Sequence, residues 1–510
     1  MEVVIVQRRY TWRMANEKSL FLDRIEWGDP CRDRFQIEGE FDRANLPPGT
    51  RTITLFRDEH YRVSAEIGGR VVDVSAYRAY AEEHAQIPKG TVRRAGVDIS
   101  VSDRISETAL QTSEGGRSSL SYLADANAWA WTEQREVYRY THRYSQATPT
   151  RNGPSWWTDW YLNGPREFVL GSATQHERRT TFSRQRAGQP RANFAGDVQG
   201  STSRDHVRVT AGDLSFIVHE VPKDLGPAWS QSLGIEYGGT SAIPDEPTRR
   251  AVEEIVSFVL GRRLLRVGAT GYDVAGFPVE EEAVNPWGDN VHSLCAQYGD
   301  SPFPIQINVE GSLDTAALLR DLVPGYLARR DTLKLHDALW WYWLAKEAPL
   351  GIDLLLFSAG VESLKAAWFR SMHSKSRGTY MDKKAFCGLL GETLAAAKEK
   401  LAGHPFAERI LDRMGRAFQM GANEQVEGFF REIALDVGMK ERAAMQARNL
   451  PAHGGTVVSD EEMLALVRHA LAYKVLFERA FLRLIDYSGV YVDRSTVNFP
   501  HRLVSEPPTD

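Results

Sequence analysis

The sequence has little cysteine, little lysine and no long apolar run. Its three cysteines, Cys31, Cys295 and Cys387, lie far apart among 510 residues and match no metal-ligand spacing. A disulfide framework or a zinc cluster is therefore not expected, and a reducing compartment is. The most apolar stretch, Ala348 to Val361, is interrupted by Asp353 and is too short to span a bilayer. Arg8 and Arg9 are followed by Thr11–Trp12–Arg13 and not by an apolar segment, so no secretory or twin-arginine signal is expected. These absences predict a cytoplasmic protein with no membrane association.

An excess of one charge is missing too. The 62 basic and 67 acidic side chains give a net charge of −5, which advertises neither a general nucleic-acid binder nor an acidic tail. Apolar residues at 42% and charged residues at 25% suit a soluble globular chain and exclude long disorder. Of the basic residues 49 are Arg and 13 are Lys, a bias that a GC-rich genome produces by itself. The common catalytic signatures are absent: no G-x-S-x-G elbow, no G-x-x-x-x-G-K-[ST] loop, no H-E-x-x-H and no C-x-x-C. No cofactor or metal is expected.

What is present is a change of period along the chain. Residues 1–245 contain short runs of β-branched or alternating residues, among them Arg51–Arg57, His60–Ile67, Gly69–Val74, Val97–Ser102 and His206–Thr210, bounded by Gly, Pro, Asp or Asn. Such runs read as strands separated by turns. No repeat of propeller or solenoid length recurs. Residues 246–311 read as a mixed α/β connector or as part of the N-terminal domain: Asp245–Glu246–Pro247 opens a helix, and Arg263–Val267 and Phe303–Val309 look like strands. From residue 312 the period turns helical. The last helix is announced by Ser459 three residues before Glu462, a capping box. Its apolar positions, including Met463, Leu466, Val467, Leu471 and Val475, recur at about 3.6 residues. The expected fold class is α+β multidomain: a β-rich, sandwich-like N-terminal domain at 1–245, the connector at 246–311, and an all-α bundle at 312–510.

Three features carry chemistry. Trp156, Trp157 and Trp160 lie within a segment that ends in Asn163–Gly164. They suit either a stacking platform for a sugar or a nucleobase, or a strand that packs rings into a β core. Lys375 and Arg377, with Lys383 and Lys384, form the densest basic patch, read as a solvated linker or as a phosphate-contacting loop. Third, Arg448 and His453 are separated by four residues. A neutral imidazole takes a proton from a ribose 2′-hydroxyl, an imidazolium gives one to the leaving 5′-oxygen, and a guanidinium supplies a permanently charged fork for the phosphorane between them.

Spacing alone does not single out that pair. With 13 His and 49 Arg in 510 residues, chance supplies roughly 1.2 pairs at any one offset, and Arg78/His84, Arg330/His336 and Arg494/His501 are looser decoys. Context does more. Asn449 follows the Arg, Pro451 lies between the pair, and Gly454–Gly455 follows the His. In an unbroken helix the offset would turn the second side chain about 140° from the first. Pro451 disfavours helical geometry at Leu450, and the glycines loosen the exit, a break that brings both side chains toward one cleft.

R-N-x-x-x-H near the end of a helical bundle resembles the HEPN superfamily, whose signature is R-x(4–6)-H, often with a polar residue after the Arg. The helix carrying Phe357–Leu364 resembles the HEPN helix that bears an acidic residue, and the wider layout is similar to ApeA-like anti-phage proteins. The resemblance implies a metal-independent endoribonuclease acting in prokaryotic defence. In it Arg448 and His453 would be the catalytic pair, Asn449 would orient them or contact the phosphate, and Glu362 would hold Arg448 by a charge-assisted hydrogen bond. It also implies an RNA substrate, a homodimer or higher homo-oligomer with facing motifs, a phage-derived trigger, and 2′,3′-cyclic phosphate and 5′-hydroxyl products. Two readings compete with it. One is a binding protein that holds a glycan or phage component through the Trp-rich β domain, with a silent dimerising bundle. The other is a metal-dependent hydrolase in the β half, for which only scattered acids and His142, His176 and His206 speak.

Overall fold

The chain is a mixed α/β protein, with antiparallel sheets and nine α-helices among the described residues. The computed structural model describes side chains chiefly over residues 154–165, 205–221, 230–272, 315–371, 378–448 and 459–509, and backbone pairing alone for strands outside those spans. Two compact units divide it. One gathers residues 1–246, 262–301 and 309–316; the other gathers 247–261, 302–308 and 317–510. Residues 246–311, read from sequence as a mixed connector or as part of the N-terminal domain, are divided between the two. Within that stretch Phe303–Ile305 is in no strand, against expectation, while Leu265–Tyr272 is one.

The first unit holds two antiparallel sheets. The smaller takes, in spatial order, Phe35–Glu38, Thr50–Arg57, Val63–Arg70, Arg117–Ala124 and Ile105–Ser113. The larger has ten strands, and its best-described part runs Ala192–Ala211, Leu214–Glu220, Leu233–Gly238, Trp156–Leu162, Leu265–Tyr272. At its middle Trp160 stands opposite Gly234 and Gly268, and Trp157 opposite Tyr237 and Gly271. Every residue from Trp157 to Leu162 is buried. A strand that buries both faces must satisfy its polar groups internally. Trp160 Nε1 donates to Thr270 Oγ1 at 2.9 Å, Trp157 Nε1 to Asp159 Oδ1 at 3.1 Å, and Arg266 Nη2 to the same Asp159 oxygen at 2.8 Å. The strand ends at Leu162, and Asn163 follows at φ 66°, a left-handed conformation that Asn adopts more readily than most residues, but Asn163–Gly164 makes no turn.

The second unit is built around its last helix. Its helices are α1 (Glu246–Val259), α2 (Thr315–Arg329), α3 (Leu335–Glu347), α4 (Ile352–Arg370), α5 (Lys383–Lys400), α6 (Ala407–Gly415), α7 (Ala422–Glu432), α8 (Met439–Ala447) and α9 (Asp460–Leu484). The capping box closes as the pattern predicts: Ser459 Oγ accepts from the Glu462 N–H at 3.2 Å and Glu462 Oε2 from the Ser459 N–H at 3.1 Å. The first turns of α9 are exposed, whereas Ala470 and Ala472–Leu482 are buried. There Phe481 packs 4.5 Å from Phe258 of α1, and Phe477 stacks 5.0 Å from Tyr342 of α3. A fully buried Arg479–Glu441 pair ties α9 to α8, and the other guanidinium nitrogens donate to the carbonyls of Val504, Asp436 and Ser505.

The expected all-α character of 312–510 is corrected at its end. Val490–Val492 pairs antiparallel with His501–Leu503, and Tyr491 and Val492 are buried. Strands of three residues leave no period to read, which is why the pattern was silent there.

Candidate active site around Arg448

Helix α8 ends at Ala447, and Arg448 keeps helical geometry (φ −52°, ψ −27°) with its N–H donating to the Ala444 carbonyl. The cap position aims its side chain at α4 and α9. Nη1 donates to Glu362 Oε1 at 3.0 Å and lies 3.4 Å from both Ser358 Oγ and Tyr473 Oη. Ser358 and Glu362 are four residues apart on α4, so they share one face of that helix. Glu362 Oε2 pairs in turn with Lys365, one turn further on. The carboxylate is thus held on both oxygens, between a guanidinium whose side chain is 16% exposed and an ammonium whose side chain is 8% exposed.

All three Arg448 contacts use Nη1. Its Nε and Nη2 make no hydrogen bond among the described residues. Burial works against the charge, but the Tyr473 hydroxyl and the Glu362 carboxylate outweigh it, and the pKa rises above the ordinary arginine value. The result is a fixed cation, pinned at one nitrogen, whose other edge can take a planar oxyanion.

The decoy arginines differ. Arg330 Nε and Nη2 fork onto both Glu254 oxygens at 2.6 and 2.8 Å, and Nη1 donates to Asp331 at 2.8 Å. Arg494 lies over the Phe499 ring at 4.9 Å. Arg330 has no open edge to offer an anion.

The other candidate residues are placed as follows. Asn449 and His453 lie outside the described residues, as do Lys375 and Arg377. Lys383 and Lys384 are exposed on the first turn of α5, beside the cap formed by Asp382 Oδ1 and the Ala385 N–H. The three tryptophans do not form one platform, because strand alternation puts Trp157 on the face opposite Trp156 and Trp160. Trp157 and Trp160 are only 8% and 4% exposed, and the Trp156 ring lies so close over Gly239 that a Cβ there would come within 2.2 Å. No group of three or more His, Cys, Asp or Glu side chains among the described residues is arranged to hold a metal ion. No helix among them is long and apolar enough to cross a membrane.

Ser358 and Tyr473 complete the Arg448 cluster, and the sequence did not place them there, whereas Lys365 is the intrahelical partner that a position three residues after Glu362 offers. Ser358 carries a weak signal, one turn before Glu362. Tyr473, in the middle of a long amphipathic helix, carries none. Comparison of the chain with protein-family models, with curated proteins and with solved structures finds no match.

Proposed function

We propose that the chain is a metal-independent endoribonuclease of HEPN type, ApeA-like in layout, with a sandwich-like β-rich region that senses or restrains a C-terminal nuclease. The observation that carries this reading is the Arg448 guanidinium, braced at Nη1 by Glu362, Ser358 and Tyr473 and unpaired at Nε and Nη2 among the described residues. A braced, desolvated cation with one open edge stabilises a phosphorane more than it stabilises the ground-state phosphate diester, which is how such a group lowers a barrier. In this reading the 2′-oxygen attacks phosphorus while the His453 imidazole moves the proton. Asn449 orients the pair, and Glu362 acts on the reaction only through Arg448. The products are a 2′,3′-cyclic phosphate and a 5′-hydroxyl. The exposed Lys383 and Lys384, with Lys375 and Arg377, contact the RNA backbone, and two copies of the chain face each other across the site. A role in anti-phage defence with a phage-derived trigger follows from the same resemblance.

The test is RNA cleavage by the purified full chain in EDTA. The wild type is expected to cut, and both Arg448→Ala and His453→Ala to abolish cutting while remaining folded, Arg448→Ala at a lower melting temperature because it leaves Glu362, Ser358 and Tyr473 without that partner. A His453→Ala variant that cleaves at the wild-type rate would sink the proposed site.

A further inference from the structure

Helix α4 carries Glu362, which holds Arg448, and six residues further on it carries Trp368. Six residues advance the helix by about 9 Å along its axis. Trp368 is half-buried against α7. Its Nε1 donates to Glu432 Oε2 at 2.7 Å, and Phe429 meets the indole edge to face at 6.5 Å. These two contacts fix the plane of the indole. The His373 imidazole then lies along it, with ring centroids 5.7 Å apart and planes 20° from parallel.

The sequence after α4 builds this stack locally. The helix stops at Ser371, whose backbone is extended (φ −76°, ψ 164°). Ser371 Oγ donates to the Trp368 carbonyl at 2.7 Å and accepts the His373 N–H at 3.2 Å. One hydroxyl thus closes the last turn and turns the chain back, so that the imidazole reaches the indole. His373 is exposed, and its ring nitrogens make no hydrogen bond among the described residues. An exposed ring at the end of a parallel stack is open to a third ring. Nucleobases stack on His and Trp, and those of an unpaired RNA strand are free to do so, whereas those of an A-form duplex are not. Arg370, exposed in the last turn of α4, leaves a positive charge at the same helix end, which suits a phosphate backbone.

We infer that the His373–Trp368 stack is a base-binding site, which takes an unpaired nucleobase of single-stranded RNA on the exposed imidazole. The inference rests on the ribonuclease reading above and gives that nuclease its substrate class, a single strand and not a duplex. The platform and the carboxylate that braces Arg448 belong to one helix. The rise between them is short against the roughly 4–16 nucleotides that a single-strand-binding fold engages, so one strand can stack a base here and place a phosphate at Arg448.

The experiment is fluorescence anisotropy of the full chain with a labelled single-stranded 2′-O-methyl RNA of mixed sequence, which lacks the attacking hydroxyl and stays intact. His373→Ala is expected to weaken binding at least about fivefold, the effect of losing one base–ring stack. His373→Tyr keeps a stacking ring and is expected to bind within about twofold of the wild type. An abasic strand of the same length and charge is expected to bind the wild type and His373→Ala alike. Equal binding of the mixed-sequence strand by His373→Ala and the wild type overturns the inference. So does a loss that His373→Tyr does not restore, which would assign the contact to the charge or hydrogen bonding of the imidazole. Cleavage of unmodified RNA by the wild type in EDTA, measured alongside, separates the inference from the reading it rests on. Cleavage together with binding indifferent to His373 removes the inference alone. Absence of cleavage removes the ribonuclease reading, and a His373-dependent loss in that same protein keeps the stack as an RNA-binding site.

Discussion

Replacing Glu362 by alanine removes the carboxylate that both Arg448 and Lys365 use. Each hydrogen bond to a charged partner is worth about 1.5–3 kcal/mol net when shielded from water. The Glu362 side chain is 35% exposed, so solvent screens part of both interactions, and an exposed pair would be worth only about 0–1 kcal/mol. The partners pull the other way. The Lys365 and Arg448 side chains are only 8% and 16% exposed, and a cation stranded in such a place keeps its desolvation cost. Glu362→Ala is expected to destabilise the helical unit by about 2–3 kcal/mol, between those limits. The assay is urea unfolding followed by far-ultraviolet circular dichroism, in a double-mutant cycle with Lys365→Met. The methionine removes the stranded ammonium, so the double variant should regain stability over Glu362→Ala, with a coupling of about 1–2 kcal/mol. Two results together refute the reasoning: a Glu362→Ala loss below about 0.5 kcal/mol and additivity in the cycle. They would make Glu362 a solvated surface carboxylate, and Arg448 would then need another anchor.

Three further outcomes are expected. Arg330→Ala should lower stability, because Arg330 forks onto Glu254, yet leave RNA cleavage at the wild-type rate; a cleavage defect in a folded variant would move the site. Trp157→Ala should cost about 3–5 kcal/mol by leaving a core cavity, read as a lower urea midpoint, and a variant with wild-type stability that loses capture of a glycan or phage component would restore the binding-platform reading. Burial pushes the Glu236 carboxyl from 4.5 up to about 7 against the pull of Arg208, and pushes the His219 imidazole from 6.5 down to about 4. The first makes stability fall as pH rises from 4.5 to about 7, and the second makes it rise from about 4 to 6.5. These slopes offset in the wild type, so Glu236→Gln should leave a stability that climbs with pH across the lower window, and a profile parallel to the wild type would count against this assignment.

Much of the local structure was legible in the sequence because it depends on neighbours along the chain. The capping box at Ser459 and Glu462 and the helical stretches after residue 312 follow from caps and periodicity. The same reasoning ran out wherever the deciding partner lies far away in sequence. Alternation along Trp156–Leu162 assigns Trp157 and Trp160 to opposite faces, but only the packed sheet shows both faces covered. Helix α1 reads as an ordinary amphipathic helix, and nothing in its own residues assigns it to the unit of Phe481 and not to that of the strands beside it in sequence.

The candidate site divides in the same way. The sequence determined the chemical parts, an Arg with a His five residues beyond it and an acid on an earlier helix, because residue type and short spacing are properties of the chain itself. Only the tertiary structure decided that Glu362, 86 residues before Arg448, meets its Nη1, that Ser358 and Tyr473 join it, and that Arg330 is consumed by Glu254. The physical reason is that helix periodicity fixes which residues share a face, whereas long-range packing fixes which faces meet.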